Sequence, residues 1–211
     1  MVGTEEKGRL LAEFSINVQR HFPDVWRSLF EERSGNAKFG SAQRTLVCVE
    51  CPVSGPLKRD ALLASLRRLA RRHEGTVDPC ADEFAFVSFG NPQDALAMAV
   101  ELQRLVARAR LRVGLASGRC RMARCDAAGQ AFLMLLGDER ARVRTLTLHA
   151  APGSVQLAPG AYEDLRDAID STLGSCIVME SFEDDELHEV SLTLPPDPMA
   201  DLSTFAGLGL T

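Results

Sequence analysis

Apolar residues recur at steps of three and four along the start of the chain, which is the spacing of an amphipathic helix. They run from Leu10 to Phe30 within residues 4–33. Pro23 interrupts this segment and, followed by Asp24, suits the first turn of a second, shorter helix. The pattern therefore predicts two consecutive helices, which either dock on the rest of the molecule or contact a partner.

The segment after these helices, residues 34–43, contains glycine, serine and asparagine and shows no hydrophobic period. Such a composition is typical of a loop, so the sequence predicts an N-terminal helical extension and linker over residues 1–43. A main domain is predicted over residues 44–194. The residues after Pro195 include proline, glycine and isolated apolar side chains, which predicts a flexible C-terminal tail over residues 195–211.

Strand and helix patterns alternate through the predicted domain. A first strand at residues 45–51 precedes a helix at 58–73, and Asn91 and Pro92 cap and open a later helix. The other predicted strands lie at residues 76–79, 84–89, 111–119, 129–136, 154–158, 176–180 and 188–194, and the other helices at 138–149 and 159–169. This order predicts an α+β fold with a ferredoxin-like βαββαβ core, in which helices flank a largely antiparallel sheet.

Composition is that of an ordinary globular protein, with 211 residues of which 45% are hydrophobic and 25% charged. No apolar run approaches the ~20 residues of a membrane span and no leader pattern opens the chain, so we expect a soluble, cytoplasmic protein without a membrane span.

The six cysteines of the chain are expected to be reduced. Cys48 and Cys51 form a CxxC, but a strand places them on opposite faces, which favours buried thiols over a metal or redox pair.

The arginines are dispersed among acidic residues and lack interleaved aromatic side chains. A surface that stacks bases needs such aromatic side chains, so the sequence argues against nucleic acid as a partner.

Several local strings follow one another in order within residues 44–194. They are HEGTV at residues 73–77, FGNPQDALAMAVELQ at 89–103, LRVGLASG at 111–118, LGD at 136–138 and HAAPGSVQLAPGAYEDLRD at 149–167. Together they resemble the catalytic domain of class III nucleotide cyclases, the family that makes cyclic AMP and cyclic GMP. The resemblance implies that domain's fold, a head-to-tail pair of domains around the active site, and attack of a ribose 3′-hydroxyl on an α-phosphate assisted by two divalent metals.

The chain departs from the family pattern at the positions that carry this chemistry. The resemblance places candidate metal ligands at Glu50, where the family has aspartate, and at Asp82 and Glu83, where a Gly-Asp-Gly loop is replaced by Asp-Glu-Phe. Glutamate is longer by a methylene, and the lost glycines remove the positive-φ conformations of a tight hairpin. Three further matched positions carry Pro79 for a purine-reading lysine, Ala141 for a ribose-orienting asparagine and Thr145 for a transition-state arginine.

Arg140 and Arg144 lie four residues apart on one predicted helix and so share a face. They are the candidate phosphate contacts, and the alternative is a solvated pair bound to nearby carboxylates. Because loss of a charge-stabilising arginine lowers phosphoryl-transfer rates by several powers of ten, the departures imply a pseudo-cyclase.

We therefore expect a pseudoenzyme, a non-catalytic cyclase-like domain that acts in bacterial signalling or regulation through association. Its partner is a second copy in a homodimer, a related cyclase-like domain in a heterodimer, or a regulatory protein that the sequence does not identify. Two alternatives stay open: a sensor that binds a nucleotide or another small molecule in the old substrate cleft, and a weakly active Mn²⁺-dependent purine nucleotide cyclase. No cofactor is expected, except Mg²⁺ or Mn²⁺ where nucleotide binding is retained.

Overall fold

The chain begins with the two predicted helices. The computed structural model describes residues 4–51, 59–80, 82–105, 110–172, 177–183 and 186–193. Helix α1 spans Thr4–His21, and α2 spans Pro23–Trp26 and continues into a π-helical turn at Arg27–Glu31. The break at Pro23 confirms the predicted pair of helices, since proline is tolerated in the first turn, where its missing N–H would have no helical partner.

Eight strands and four more helices follow in the described part of the chain. The strands are β1 (Asn36–Glu50), β2 (Thr76–Val77), β3 (Phe84–Phe89), β4 (Val113–Ala127), β5 (Gln130–Leu136), β6 (Ser154–Leu157), β7 (Ile177–Glu183) and β8 (Glu186–Thr193). The helices are α3 (Arg59–Arg72), α4 (Pro92–Leu105), α5 (Asp138–His149) and α6 (Pro159–Thr172). The side chain of Asn91 accepts a hydrogen bond from the backbone N–H of Gln93 at 3.0 Å, which confirms the predicted cap of α4.

The strands form one sheet in the order β2-β3-β1-β4-β6-β8-β7, and β5 pairs with β4 beside this path. β4 and β6 run parallel, and the other described pairs are antiparallel. The structure therefore confirms the α+β class and the largely antiparallel sheet flanked by helices.

The loop predicted over residues 34–43 is wrong from Asn36 onward, because this segment is the first half of β1. Its pairing with β4 runs without interruption from Asn36 opposite Asp126 to Val49 opposite Val113. Residues 36–44 are all exposed or half-buried, so the segment lacks the apolar alternation by which a strand is recognised. β4 likewise continues to Ala127, beyond its predicted end at Arg119. We call the paired segments 36–44 and 118–127, together with β5, the arm.

Apolar clusters lie on both faces of the sheet. Val47 and Val49 belong to the cluster shared with α3, α4 and α6, whereas the alternating Leu46 and Cys48 belong to the cluster beneath α5. Cys51 lies in the first cluster, so the predicted separation of the two CxxC thiols is confirmed. A third cluster joins α1 and α2 to the arm, which shows that the helical extension docks on the domain.

Helix α5 approaches the sheet closely at Gly114 in β4. A Cβ atom at this position would lie 2.8 Å from the carbonyl oxygen of Val143 and 2.9 Å from the backbone nitrogen of Thr147. The absence of a side chain at Gly114 therefore allows α5 to lie this close to the sheet. Within the described residues, no helix is both long and apolar enough to cross a membrane.

Candidate functional site

A cavity of about 450 Å³ opens where α1, α5 and the start of β3 meet. From α1 it is lined by Glu13, Asn17 and Arg20, and from α5 by Arg140, Ala141 and Arg144. The loop before β3 and β3 itself contribute Asp82, Glu83, Phe84 and Phe86. Both predicted phosphate contacts and two of the three predicted metal ligands thus share this cavity, while Glu50 is not among its lining residues.

The two arginines of α5 each lie over an aromatic ring. The guanidinium carbon of Arg140 lies 4.5 Å from the ring centre of Phe86, and that of Arg144 lies 4.8 Å from the ring centre of Phe84. Such stacking leaves the edges of a guanidinium group able to donate hydrogen bonds. The geometry therefore presents two oriented cations on one wall of the cavity.

The two arginines differ in their contacts within the chain and in their exposure to solvent. Arg140 donates to the carbonyl oxygens of Cys80 at 3.0 Å and Leu135 at 3.3 Å, and its side chain is 17% exposed. Arg144 is 52% exposed and has a carboxylate oxygen of Glu83 at 3.6 Å. Arg140 therefore ties α5 to the adjacent backbone, whereas Arg144 is the cation available to a ligand. Their assignment as phosphate contacts remains a prediction.

Asp78 is a buried carboxylate beside this cavity, and its importance was not predicted from the sequence. It accepts hydrogen bonds from the backbone N–H groups of Leu135 at 2.7 Å and Cys80 at 2.8 Å, and Arg140 lies 4.0 Å away. Burial raises the pKa of Asp78, against the opposing effects of Arg140 and the two N–H groups. Asp78 is not itself a lining residue of the cavity, but it joins the loop after β2, the end of β5 and α5, and that loop and α5 carry lining residues.

The predicted metal ligands each face a different cation of the chain. Glu50 has Arg112 at 3.8 Å, Asp82 has Arg20 at 3.3 Å, and Glu83 has Arg144 at 3.6 Å. In the described part of the chain, no three His, Cys, Asp or Glu side chains converge as a metal site requires. A hard divalent ion needs several oxygen ligands, and these three carboxylates, each paired with a different arginine, do not present them together. The assignment of Glu50, Asp82 and Glu83 as metal ligands stays a prediction.

The matched positions on α5 supply no polar group to the cavity. Ala141 lines it with a methyl group, and the hydroxyl of Thr145 donates to the carbonyl oxygen of Ala141 within the same helix at 3.2 Å. A Ser or Thr hydroxyl bonded back to its own helix is a local arrangement. The groups that the resemblance assigns to ribose orientation and transition-state charge are therefore not replaced at these two positions.

Helix α1 of the extension forms a wall of the cavity, which no local signal in the sequence indicated. The carboxylate of Glu13 accepts hydrogen bonds from the backbone N–H of Gly137 at 3.0 and 3.2 Å, just before α5. Arg9 pairs with Asp138 at 3.0 Å, and His21 lies 3.6 Å from Asp82. An acidic group at the start of a helix is favourable because the helix dipole is positive there. α1 is thus fixed to both other walls of the cavity.

Thiol chemistry is not supported at this site. Five cysteines are buried and free of disulfide bonds, and Cys176 lies outside the described residues. Burial raises the pKa of Cys48 and Cys80 to about 12 and that of Cys51 and Cys120 to about 11. Because the thiolate is the reactive form, these four thiols are inert at neutral pH.

Comparisons with known proteins identify the fold. No protein-family model matches the sequence, and no curated protein matches it. The adenylyl cyclase CyaB from P. aeruginosa superposes with a TM-score of 0.56 at 15% identity, over 76% of this chain and 98% of that one. The guanylate cyclase domain of RhGC from Catenaria anguillulae, in complex with GTP, gives 0.56 at 11% identity, over 74% of this chain and 98% of that one.

A third solved structure is a non-canonical dimeric guanylyl cyclase domain of the RhoGC fusion protein from the aquatic fungus Blastocladiella emersonii. It gives a TM-score of 0.55 at 11% identity, over 74% of this chain and 97% of that one. These three structures show that the chain has the fold of class III nucleotide cyclase catalytic domains. The fold that the sequence resemblance implied is confirmed.

Proposed function

We propose that this chain, which has the fold of nucleotide cyclase catalytic domains, forms no cyclic nucleotide and acts in signalling or regulation by association. One observation carries the proposal: Glu50, Asp82 and Glu83 are paired with Arg112, Arg20 and Arg144 of the same chain instead of converging. Cyclisation needs divalent metals to activate the 3′-hydroxyl and to neutralise the phosphates. Carboxylates that do not converge on one point do not together supply the several oxygen ligands that a hard divalent ion needs.

The substitutions on α5 point in the same direction. Ala141 and Thr145 supply neither an amide nor a cation, and Arg140, the nearest cation on that helix, is bound to the carbonyl oxygens of Cys80 and Leu135. Removing one preorganised charge-stabilising group commonly lowers a rate by about 10²–10³. The combined departures therefore support the absence of turnover.

The test is a cyclase assay of the purified full chain with ATP and with GTP, each in Mg²⁺ and in Mn²⁺. We expect no cyclic nucleotide above the level of a sample without protein. An active cyclase assayed in parallel controls for the conditions. Product that forms with the wild type and disappears with Glu50→Ala would overturn the proposal and establish the weakly active Mn²⁺-dependent enzyme.

A second function, binding of a nucleotide or another small anion without turnover, is favoured by the exposed guanidinium of Arg144. The cavity volume of about 450 Å³ lies within the range of small-molecule pockets, and Arg144 stacks on Phe84 at its wall. A planar cation over an aromatic ring is a common means of holding phosphate groups. This function is compatible with the absence of catalysis.

Two arginines of α5 give this second function a matched test. Arg142 is 53% exposed and lies 3.7 Å from Glu139, so its exposure and ion pair resemble those of Arg144, but it is not among the residues that line the cavity. We expect ATP or GTP to raise the melting temperature of the wild type and of Arg142→Gln but not of Arg144→Gln. A ligand at about 100 times its dissociation constant adds about 2.7 kcal/mol of stability. Equal shifts in both variants would exclude Arg144 as the contact.

A further inference from the structure

The first half of β1 has an open edge. β3 pairs with β1 at residues 45–50, and its register ends at Thr45 opposite Phe89. Residues 36–44 pair with β4 on one side, and among the described strands none pairs with their other side. Burial changes at the same point, since residues 36–44 are exposed or half-buried and residues 45–49 are buried. Within the described residues, the arm therefore presents a nine-residue strand edge whose outward N–H and C=O groups have no strand partner.

An apolar groove of about 400 Å³ adjoins this edge. Lys7, Leu10 and Leu11 of α1 line it on one side, and Phe39, Gly40 and Ser41 of β1 line it on the other, with Arg121 of β4, which is paired with Glu6 of α1. Phe39 and Leu11 are each 47% exposed. Phe39 also contacts Phe14 of α1 edge to face at 5.3 Å, so its ring is held at the mouth of the groove. A free strand edge beside exposed apolar side chains is the arrangement that strand addition uses.

We infer that this edge pairs with the same edge of a second copy, in an antiparallel arrangement with its two-fold axis at Gly40. Side chains that face each other across an antiparallel pair lie on the same face of the sheet, and along one strand every second residue lies on that face. When a strand pairs with a copy of itself, the residue numbers of two facing positions therefore differ by an even number. The register centred on Gly40 pairs every residue from Asn36 to Arg44. The inference rests on the proposed function of association, for which it names the surface and the partner.

Charge and strand length together select this register among its neighbours. With Gly40 at the centre, Lys38 faces Ala42 and Arg44 faces Asn36, so no two cations are opposed. If the axis moves by one residue to Ser41, Lys38 faces Arg44 of the other copy, and like charges directly opposite each other are destabilising. If the axis moves by one residue to Phe39, Gln43 and Arg44 lie beyond the end of the partner strand and have no facing residue. The sequence of the edge is therefore complementary to itself at one register.

The paired edge also places the apolar groove at the interface. Phe39 of one copy faces Ser41 of the other on the side of the sheet that α1 covers, so the two grooves lie side by side across the axis. Pairing of the two edges buries the exposed side chains of Phe39 and Leu11. It also gives the outward N–H and C=O groups of the edge hydrogen-bond partners. At Gly40 a Cβ atom would meet nothing within 4 Å in one chain, so a side chain there acts on the dimer without crowding the monomer.

The test uses the full chain and a charge exchange at Gly40. We expect the wild type to sediment as a dimer, and Gly40→Lys to raise the dissociation constant about tenfold or more, because the two-fold axis sets the new cations against each other. Mixing Gly40→Lys with Gly40→Glu restores a heterodimer. Gly160→Lys adds the same charge where a Cβ is equally free and leaves the dimer unchanged. Melting temperatures check that each variant is folded.

A second measurement reports the register itself. Opposed residues of an antiparallel pair have Cα atoms about 4.5–5.5 Å apart, which lies within the range of about 4.4–6.8 Å in which a disulfide forms. Oxidised glutathione should therefore cross-link Gly40→Cys into a covalent dimer but not Gly160→Cys.

A wild type that stays monomeric up to millimolar concentration would overturn the inference, as would a dimer that Gly40→Lys does not weaken. Cyclic nucleotide formation by a chain that dimerises through Gly40 would contradict the proposed absence of catalysis and leave this surface standing. Sedimentation therefore tests the dimer surface, and the cyclase assay separately tests the proposed absence of catalysis.

Discussion

Asp78→Ala lowers the free energy of unfolding by about 2–6 kcal/mol, because it leaves two buried backbone N–H groups without an acceptor and each such loss costs about 1–3 kcal/mol. The carboxylate is fully buried, so the variant leaves the N–H groups of Leu135 and Cys80 without acceptors. It also deprives Arg140 of its nearest carboxylate. Urea denaturation followed by circular dichroism measures the loss.

Asp82→Ala is the matched control for this prediction. Asp82 lies in the same loop and carries the same charge, but its side chain is 45% exposed and its partners Arg20 and His21 belong to α1. An exposed ion pair contributes about 0–1 kcal/mol, so this variant stays close to the wild type. A comparable loss in both variants would mean that the loop as a whole, and not the buried carboxylate, determines stability.

Gly114→Ala is expected to cost about 2–3 kcal/mol, because overpacking a tight contact typically costs 1–3 kcal/mol. The added methyl group would lie 2.8 Å from the carbonyl oxygen of Val143 and 2.9 Å from the nitrogen of Thr147. Both atoms are backbone atoms of α5, so relief requires that the helix move. Thermal denaturation measures the cost.

The same strand provides the control for Gly114. A Cβ at Gly118 would lie 2.8 Å from the carboxyl carbon of Glu139, which is the far end of a flexible side chain that can rotate away. Gly118→Ala should therefore change stability by less than about 1 kcal/mol. Equal losses in the two variants would show that glycine is needed in β4 for backbone reasons and not for the approach of α5.

The elements of the core were predictable because their residues carry local signals. The helix break at Pro23 and the cap at Asn91 follow from the chemistry of single residues. The strand at residues 36–43 was missed because an exposed edge segment needs no apolar alternation. Such a strand is recognisable only from the strand that it pairs with. Its partner β4 lies far along the chain, with Asp126 opposite Asn36, and a local sequence pattern does not reveal so distant a pairing.

The candidate site was predictable in part. The resemblance brought Asp82, Glu83, Arg140 and Arg144 to one place, and all four line the cavity. Asp78 was missed because burial of a carboxylate depends on neighbours from β5 and α5. The role of α1 was missed for the same reason, since the contact between Glu13 and Gly137 joins residues far apart in the chain. Sequence patterns report local periodicity, and these contacts are tertiary.

The placement of α1 has a consequence for how the cavity responds to dilution. Its described walls come from α1, β3 and its preceding loop, and α5 of one polypeptide. A pocket shared by two chains loses its ligand as the protein is diluted below the dimer dissociation constant, because mass action then separates its halves. Here binding at the cavity should keep one affinity and a stoichiometry of one ligand per chain at every protein concentration.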